Sequence, residues 1–354
     1  MKINHKQLTF AREYRGYSQS ELSSKIRGLS QPNLSKFEKG IGVLSDEVLM
    51  NIFQFLDFPI SFFEKEFFNK SESAHYRKKA GITKGERVSL ENNNRLIGYL
   101  VDQMGESLEF PTFQFRLIDL EDGYSPESVA QHTRKLLGLQ EHPVKDINTL
   151  IEANGIVVVE FDTSISFFDG VSFTTDNGYK VIVVNKNMSN DRKRFTLAHE
   201  LGHIIMHSSE DFLFAEYRDK ENEANCFASE FLMPANVIRN SLRNLKPSYL
   251  LDLKRFWLTS MASIIRRAKD IGCISNDKYQ YFNVELSRKG YRKEEPLNVY
   301  IDYPKLFSDG YKIHKEDLEY TDQELAFAFC LPIDVIKRFF IAPESRIQLR
   351  LDTY

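Results

Sequence analysis

The pentapeptide His199-Glu200-Leu201-Gly202-His203 restricts what this chain can be more than any other stretch of it. It lies inside RKRFTLAHELGHIIMH, an apolar-periodic run that predicts a helix, and a helix sets residues four apart one turn above each other on one face. Two imidazoles stacked in this way suit a single zinc ion. The glutamate between them reaches the same cleft from a neighbouring angle, where it can accept a proton from an activated water. Three fixed positions in five also occur by chance on helices without catalysis, so the surrounding residues must carry the weight.

A catalytic zinc ion usually takes three protein ligands and keeps one position open, so a further His, Asp or Glu is expected on another element. ENEANCFASEFLMP, the next helical run, offers Glu223 as the preferred third ligand, with Glu221 and Glu230 as competitors. His207 sits on the same helix as His199 but about 12 Å further along its axis at 1.5 Å per residue, too far for one ion to hold both. It reads as a cleft-wall or supporting residue. His207, Tyr217 and Tyr291 are the available oxyanion donors, without a feature to rank them.

The rest of the chain must build around that helix. A length of 354 residues exceeds what one core usually serves, and 28 Phe with 16 Tyr supply apolar surface for more than one. Four short helices are expected first, from LTFAREYRGY, SQSELSSKI, SQPNLSKFEKG and SDEVLMNIFQFL. Ser18 with Glu21 forms a capping box; Ser45 with Val48 does not. A polar, charged stretch follows and reads as a linker. Helices are then expected at ENNNRLIGYLVDQM, SPESVAQHTRKLLGL and DINTLIEANG. Strands are expected at IVVVEF, GVSFTT and YKVIVVN, with turns at Asp169-Gly170 and Asn177-Gly178. The exposed strand along which a peptide substrate could lie is taken as YKVIVVN.

These elements give an α+β chain: an all-α helix-turn-helix domain at 1–68, a linker at 69–90, a peptidase domain at 91–290 and a mixed C-terminal region at 291–354 without a motif. Cys226, Cys273 and Cys330 are too few and too scattered for a disulfide framework or a cysteine zinc site, and read as core residues. No apolar run reaches the roughly 18 residues of a membrane helix and no signal peptide opens the chain, so a cytoplasmic protein with no membrane partner is expected.

The formal net charge of -3 is unevenly spread. Residues 1–44 carry eight Lys or Arg against three acids, 241–293 carry twelve against four, and 294–354 carry seven against twelve. In the first basic stretch Leu22 and Ile26 are spaced to pack on Leu34 and Phe37. That leaves Gln31, Asn33, Ser35 and Lys36 outward on a second helix to meet bases and phosphates, with Gln19 opening the first helix at a phosphate. The spacing, with Glu38-Lys39-Gly40 closing it, resembles the XRE/Cro-type helix-turn-helix, although Ile26-Arg27-Gly28-Leu29-Ser30 is one residue longer than the usual turn. Within the second basic stretch SMASIIRRAKDIGCIS predicts a helix ending near Gly272, read as completing a domain rather than as a second nucleic-acid surface.

RFTLAHELGHIIMH followed by ENEANCFASEFLMP resembles the signature of the ImmA/IrrE-type metallopeptidases. The resemblance implies a gluzincin-like fold, His199 and His203 as zinc ligands with Glu223, Glu200 as general base, and a regulatory protein as substrate. The expectation is a transcription regulator bound as a homodimer to a double-stranded DNA operator, whose zinc endopeptidase cleaves a repressor, an antitoxin or itself. The alternative is a transcription factor that uses the peptidase-like part only for sensing or dimerisation.

Overall fold

The structure, a computed structural model, describes residues 3–65, 82–165, 167–208 and 218–340. The chain begins with helices α1 (His5–Tyr14), α2 (Gln19–Lys25), α3 (Gln31–Glu38), α4 (Asp46–Leu56) and α5 (Ile60–Glu64), followed by α6 (Lys84–Gly105). Next come α7 (Pro126–Leu136), α8 (Ile147–Ala153) and strands β1 (Ile156–Phe161), β2 (Gly170–Thr174) and β3 (Lys180–Asn185). Helices α9 (Asn190–His207), α10 (Lys220–Leu232), α11 (Ala235–Leu242), α12 (Leu250–Trp257), α13 (Met261–Asp270) and α14 (Asn276–Arg288) follow. The last described are α15 (Leu306–Glu316), α16 (Asp322–Ala328) and α17 (Ile333–Phe339).

The described chain divides into two compact units. One gathers 3–65, 83–108 and 307–340; the other is 109–306 with Ile82. This differs from the division expected at 68, 90 and 290. Helix α6, which was to begin the peptidase domain, starts inside the supposed linker with a Thr83–Glu86 capping box and packs on α1. Residues 307–340, part of the region expected at 291–354 to be mixed, are helical and close the first unit: Arg15 on α1 forks onto Asp334 of α17, and the buried Tyr99 hydroxyl donates to the Phe329 carbonyl at 2.7 Å. Residues 66–81, which include the expected linker up to 81, lie outside the described residues.

Local chemistry accounts for the first unit's helices. Ser18 accepts from the Glu21 amide while Glu21 accepts from the Ser18 amide, and Ser45 caps α4 singly, as the sequence suggests. Leu22 and Leu34 are fully buried, with Ile26 and Phe37 nearly so, which holds α2 against α3.

In the second unit the sheet order is β1-β3-β2, with β1 parallel and β2 antiparallel to β3. The Asn177-Gly178 turn joins β2 to β3, with Gly178 at φ +93°. Gly170, expected in a turn, instead opens β2, where a side chain has no room. A Cβ there would come within 2.6 Å of Thr196 Cγ2 and 3.0 Å of the Val183 carbonyl. Ile156, Val158, Ile182 and Val184 join Leu197, Leu201, Ile204 and Ile205 of α9 in one core, continued by Phe227, Ala228 and Phe231 of α10. Helix α13 buries Met261, Ile264, Ile265 and Ala268 and ends before Gly272, which agrees with its reading as a domain-completing helix. The three cysteines are free and half-buried rather than core residues. No helix among the described residues is long and apolar enough to cross a membrane.

Candidate metal centre

Helix α9 carries His199, His203 and His207 along one face, and α10 brings its first turn alongside them. The Nε2 atoms of His199 and His203 stand 3.0 Å apart. Glu221 faces both, with Oε2 at 3.6 Å from His199 Nε2 and Oε1 at 3.5 Å from His203 Nε2. One ligand atom from each of these three residues lies within 4.8 Å of the others, the one such metal-holding group found among the described residues.

The preferred third ligand, Glu223, is therefore not brought to the imidazole pair. Glu223 accepts the Arg218 fork at 2.9 and 2.8 Å and meets His207 Nε2 at 2.7 Å. The phase of α10 explains the difference. Glu221 and Asn225 are one turn apart and share a face, and Asn225 Oδ1 reaches His199 Nδ1 at 3.0 Å. Glu223 lies two residues on, roughly 200° round the helix. The pairing of Glu221 with a polar residue four positions later was the signal available in the sequence. Glu230 is occupied elsewhere, buried against Arg267 and accepting from the Ala235 amide.

Hydrogen-bond direction decides whether the two nitrogens can hold a cation. Asn225 Oδ1 can accept a hydrogen bond from a protonated His199 Nδ1, the tautomer that would leave Nε2 open to a cation. His203 Nδ1 lies 2.9 Å from His207 Nδ1, and donation from His203 leaves its Nε2 bare as well. Two lone pairs 3.0 Å apart and a carboxylate then face one point, an arrangement that is repulsive without a positive charge between them. Two ligands about 2.0–2.1 Å from a tetrahedral zinc ion are separated by roughly 3.3 Å, so the donor set fits such an ion in chemistry and spacing.

Without an ion, the same carboxylate favours protons on these nitrogens. Burial opposes charge on His199, but Glu221, Glu200 and Asn225 outweigh it and raise its pKa. Hydrogen bonding to His199 and His203 holds Glu221 far below the usual carboxylate range. His207 is pushed down to about 3, first by burial and then by His203 beside it, and is neutral. Burial favours the neutral acid of Glu223, yet Arg218 and His207 overcome it and keep the group ionised.

Glu200, the expected base, is buried and accepts from Ser172 Oγ at 2.7 Å on Oε2. Sequence reading missed Ser172. Two residues along a strand cover roughly 6.7 Å and four along a helix cover 6.0 Å, so Gly170 and Ser172 on one face of β2 match Thr196 and Glu200 on α9. The proposed substrate strand, YKVIVVN, is corrected by the topology: β3 pairs on both sides and has no edge to offer, whereas β2 pairs on one side only among the described residues. Tyr291 packs against the core just after α14, and Tyr217 lies outside the described residues.

At the other site Gln31, Asn33 and Lys36 are exposed and Ser35 is half-buried. Gln19 is tied by its amide to Glu38 at 2.6 Å and accepts from Gln31 at 2.9 Å, which sets the start of α2 against α3.

Residues 10–63 match the helix-turn-helix family, and residues 151–269 match the family of the IrrE N-terminal-like domain. The first unit thus carries a match to XRE-type helix-turn-helix domains and the second a match to metallopeptidase-like domains of the IrrE/ImmA kind. The chain is similar to the Radiation response metalloprotease IrrE of Deinococcus radiodurans, 34% identical over 82 residues, which are 21% of this chain and 25% of that protein. It is also similar to the Uncharacterized immunity region protein 2 of Bacillus phage phi105, 39% identical over 69 residues, 18% of this chain and 44% of the phage protein. The chain therefore spans a quarter of one relative and under half of the other.

Proposed function

We propose that this chain is a homodimeric transcription regulator, bound through α3 to a double-stranded operator, whose second unit is a zinc endopeptidase acting on a repressor or an antitoxin. The observation that carries the peptidase reading is the meeting of the His199 and His203 Nε2 atoms, on the helix that also carries Glu200, with the Glu221 carboxylate of α10. Zinc held by His199, His203 and Glu221 would supply a Lewis acid that polarises the scissile carbonyl and brings the pKa of a water towards 7. Glu200 takes the proton of the attacking water and passes it to the departing amine. Because Ser172 donates to Oε2, the proton travels through Oε1. An extended substrate can add to the open side of β2 by backbone pairing, which puts its carbonyls alongside the strand that holds Ser172. The exposed Gln31, Asn33 and Lys36 support contacts to base edges and phosphates in a major groove.

The test compares wild-type protein with Glu200→Gln, measuring bound zinc by elemental analysis and new protein N-termini in cells producing each form. Both should bind zinc, and only the wild type should generate a new terminus in a DNA-binding or antitoxin protein. Equal zinc with identical termini would remove the peptidase and leave a sensing or dimerising role.

A further inference from the structure

Resting on the metal reading above, we infer that Arg218, Glu223 and His207 form a relay that positions His203, fixing its proton on Nδ1 so that Nε2 is free for the ion. The relay is continuous: Arg218 Nε and Nη2 hold Glu223 at 2.9 and 2.8 Å, Glu223 Oε2 meets His207 Nε2 at 2.7 Å, and His207 Nδ1 meets His203 Nδ1 at 2.9 Å. Arg218 and His207 have side chains only 5% and 2% exposed, so water does not compete freely for these positions.

Each link determines the next. An arginine-bound carboxylate can only accept, so His207 Nε2 must carry a proton. With its one ring proton on Nε2, His207 offers a lone pair at Nδ1, and His203 meets it by donating from its own Nδ1. The other tautomer of His203 would set two lone pairs against each other at 2.9 Å and place a proton on the nitrogen that must bind metal. The acid expected in the sequence to ligate zinc thus acts two residues removed from it, through a histidine. His199 has only the neutral amide of Asn225 for the same task, so the two ligands are not equally supported. Outer partners of this kind commonly change metal affinity by about 10–100-fold.

The experiment measures zinc affinity by competition with a chromophoric chelator, and the tautomer of His203 by long-range nitrogen-15 NMR of the zinc-free protein labelled at histidine. His207→Phe and Glu223→Ala should each weaken zinc by about 10–100-fold, and the double variant should lose little more than the worse single one, because one relay is broken either way. Glu223→Gln, which keeps an acceptor for His207, should restore most of the affinity. His203 should report a proton on Nδ1 in the wild type and on Nε2 in a larger share of the two broken variants. Glu221→Ala should lose far more zinc than either.

Folded His207→Phe and Glu223→Ala proteins with wild-type zinc affinity and an unchanged His203 tautomer would overturn the relay alone. Glu223→Ala abolishing zinc while Glu221→Ala retains it would make Glu223 a ligand and overturn it too. A wild-type protein that takes up no zinc would refute the metal reading, and this inference with it.

Discussion

Gly202, in the turn between His199 and His203, controls how closely α9 and α10 approach, and replacing it with alanine should loosen the proposed metal site without touching a ligand. A Cβ at 202 would stand 2.9 Å from Phe227 Cδ1, 3.1 Å from Cγ and 3.3 Å from its Cβ. Carbon atoms in good contact sit about 3.5–4.0 Å apart, so the helices must separate by roughly half an ångström. The ring cannot swing aside, because Phe227 is fully buried and stacks on Phe231 with centroids 5.7 Å apart. Overpacking of this kind costs about 1–3 kcal/mol, against which alanine returns about 1 kcal/mol of helix propensity. The metal-free protein should therefore lose about 0–2 kcal/mol of stability. Helix α10 also carries Glu221, and metal sites tolerate only about 0.2 Å in ligand distance. Binding must press α10 back to its original place, so the further strain that separation of the helices had relieved, taken as about the same size, appears in the affinity. At 1.4 kcal/mol per tenfold, zinc should bind about 5–150-fold more weakly. Chelator competition measures this, and a thermal melt of the zinc-free protein measures the first figure. A Gly202→Ala protein with wild-type zinc affinity and an equal or higher melting temperature would show that the helices do not meet where the structure has them.

Other perturbations separate the remaining parts of the argument. Ser172→Ala removes the hydrogen bond to Glu200 Oε2, and if that bond is worth about 1.5–3 kcal/mol, turnover of an identified substrate should fall about 10–150-fold with zinc affinity unchanged; equal losses in both would point to a misfolded sheet. Truncation after residue 306 removes Leu325, Leu331, Val335 and Ile336 from the first unit's core. Operator binding and the melting temperature of that unit should then drop although 10–63 is intact, and a truncated protein that binds DNA normally would refute this. Glu152, raised to about 7 chiefly by burial, accepts from the Lys305 and Leu306 amides. Its folded pKa exceeds its unfolded one, so its contribution is complete below about pH 4.5 and is lost as pH rises to about 7, a change of up to about 3 kcal/mol. The second unit should melt lower at pH 8 than at pH 5, and Glu152→Gln should flatten that slope in a series of melts across the range.

What the sequence could reveal was mostly local. The spacing of His199 and His203, the Ser18–Glu21 box and the three β-branched runs each fix their own geometry within one helix turn or strand, and the structure has them where the patterns indicate. The choice between Glu221 and Glu223 needed the phase at which α10 meets α9, which no residue of α10 states alone. The error over YKVIVVN was of the same kind: a buried central strand and an edge strand can share a composition, and β3 is made central by β1, a strand from beyond the β2–β3 hairpin. Helix α6 is buried on almost every side from Leu90 to Met104. Such a helix announces that it will be covered, but nothing in it says by what, so its assignment to the following domain had no physical warrant that the contacts with α1 could not reverse.

The way the first unit is closed bears on which protein the peptidase could act upon. Residues 3–65 and 83–108 are completed by 307–340, so the chain leaves the DNA-binding unit at 108 and returns to it at 307. Arg15 with Asp334, Arg338 with Tyr14, and Tyr99 with the Phe329 carbonyl hold the returning helices in place without covalent help. A single cut between 109 and 306 would therefore leave both parts of this unit folded together, with α3 still presented to DNA. Self-cleavage within the second unit would then be an inefficient way to release an operator, whereas hydrolysis of a separate repressor or antitoxin needs no change in the first unit at all. If a wild-type sample nicked between 109 and 306 released its operator while an uncut Glu200→Gln sample held it, this argument would fail and the chain itself would become the preferred substrate.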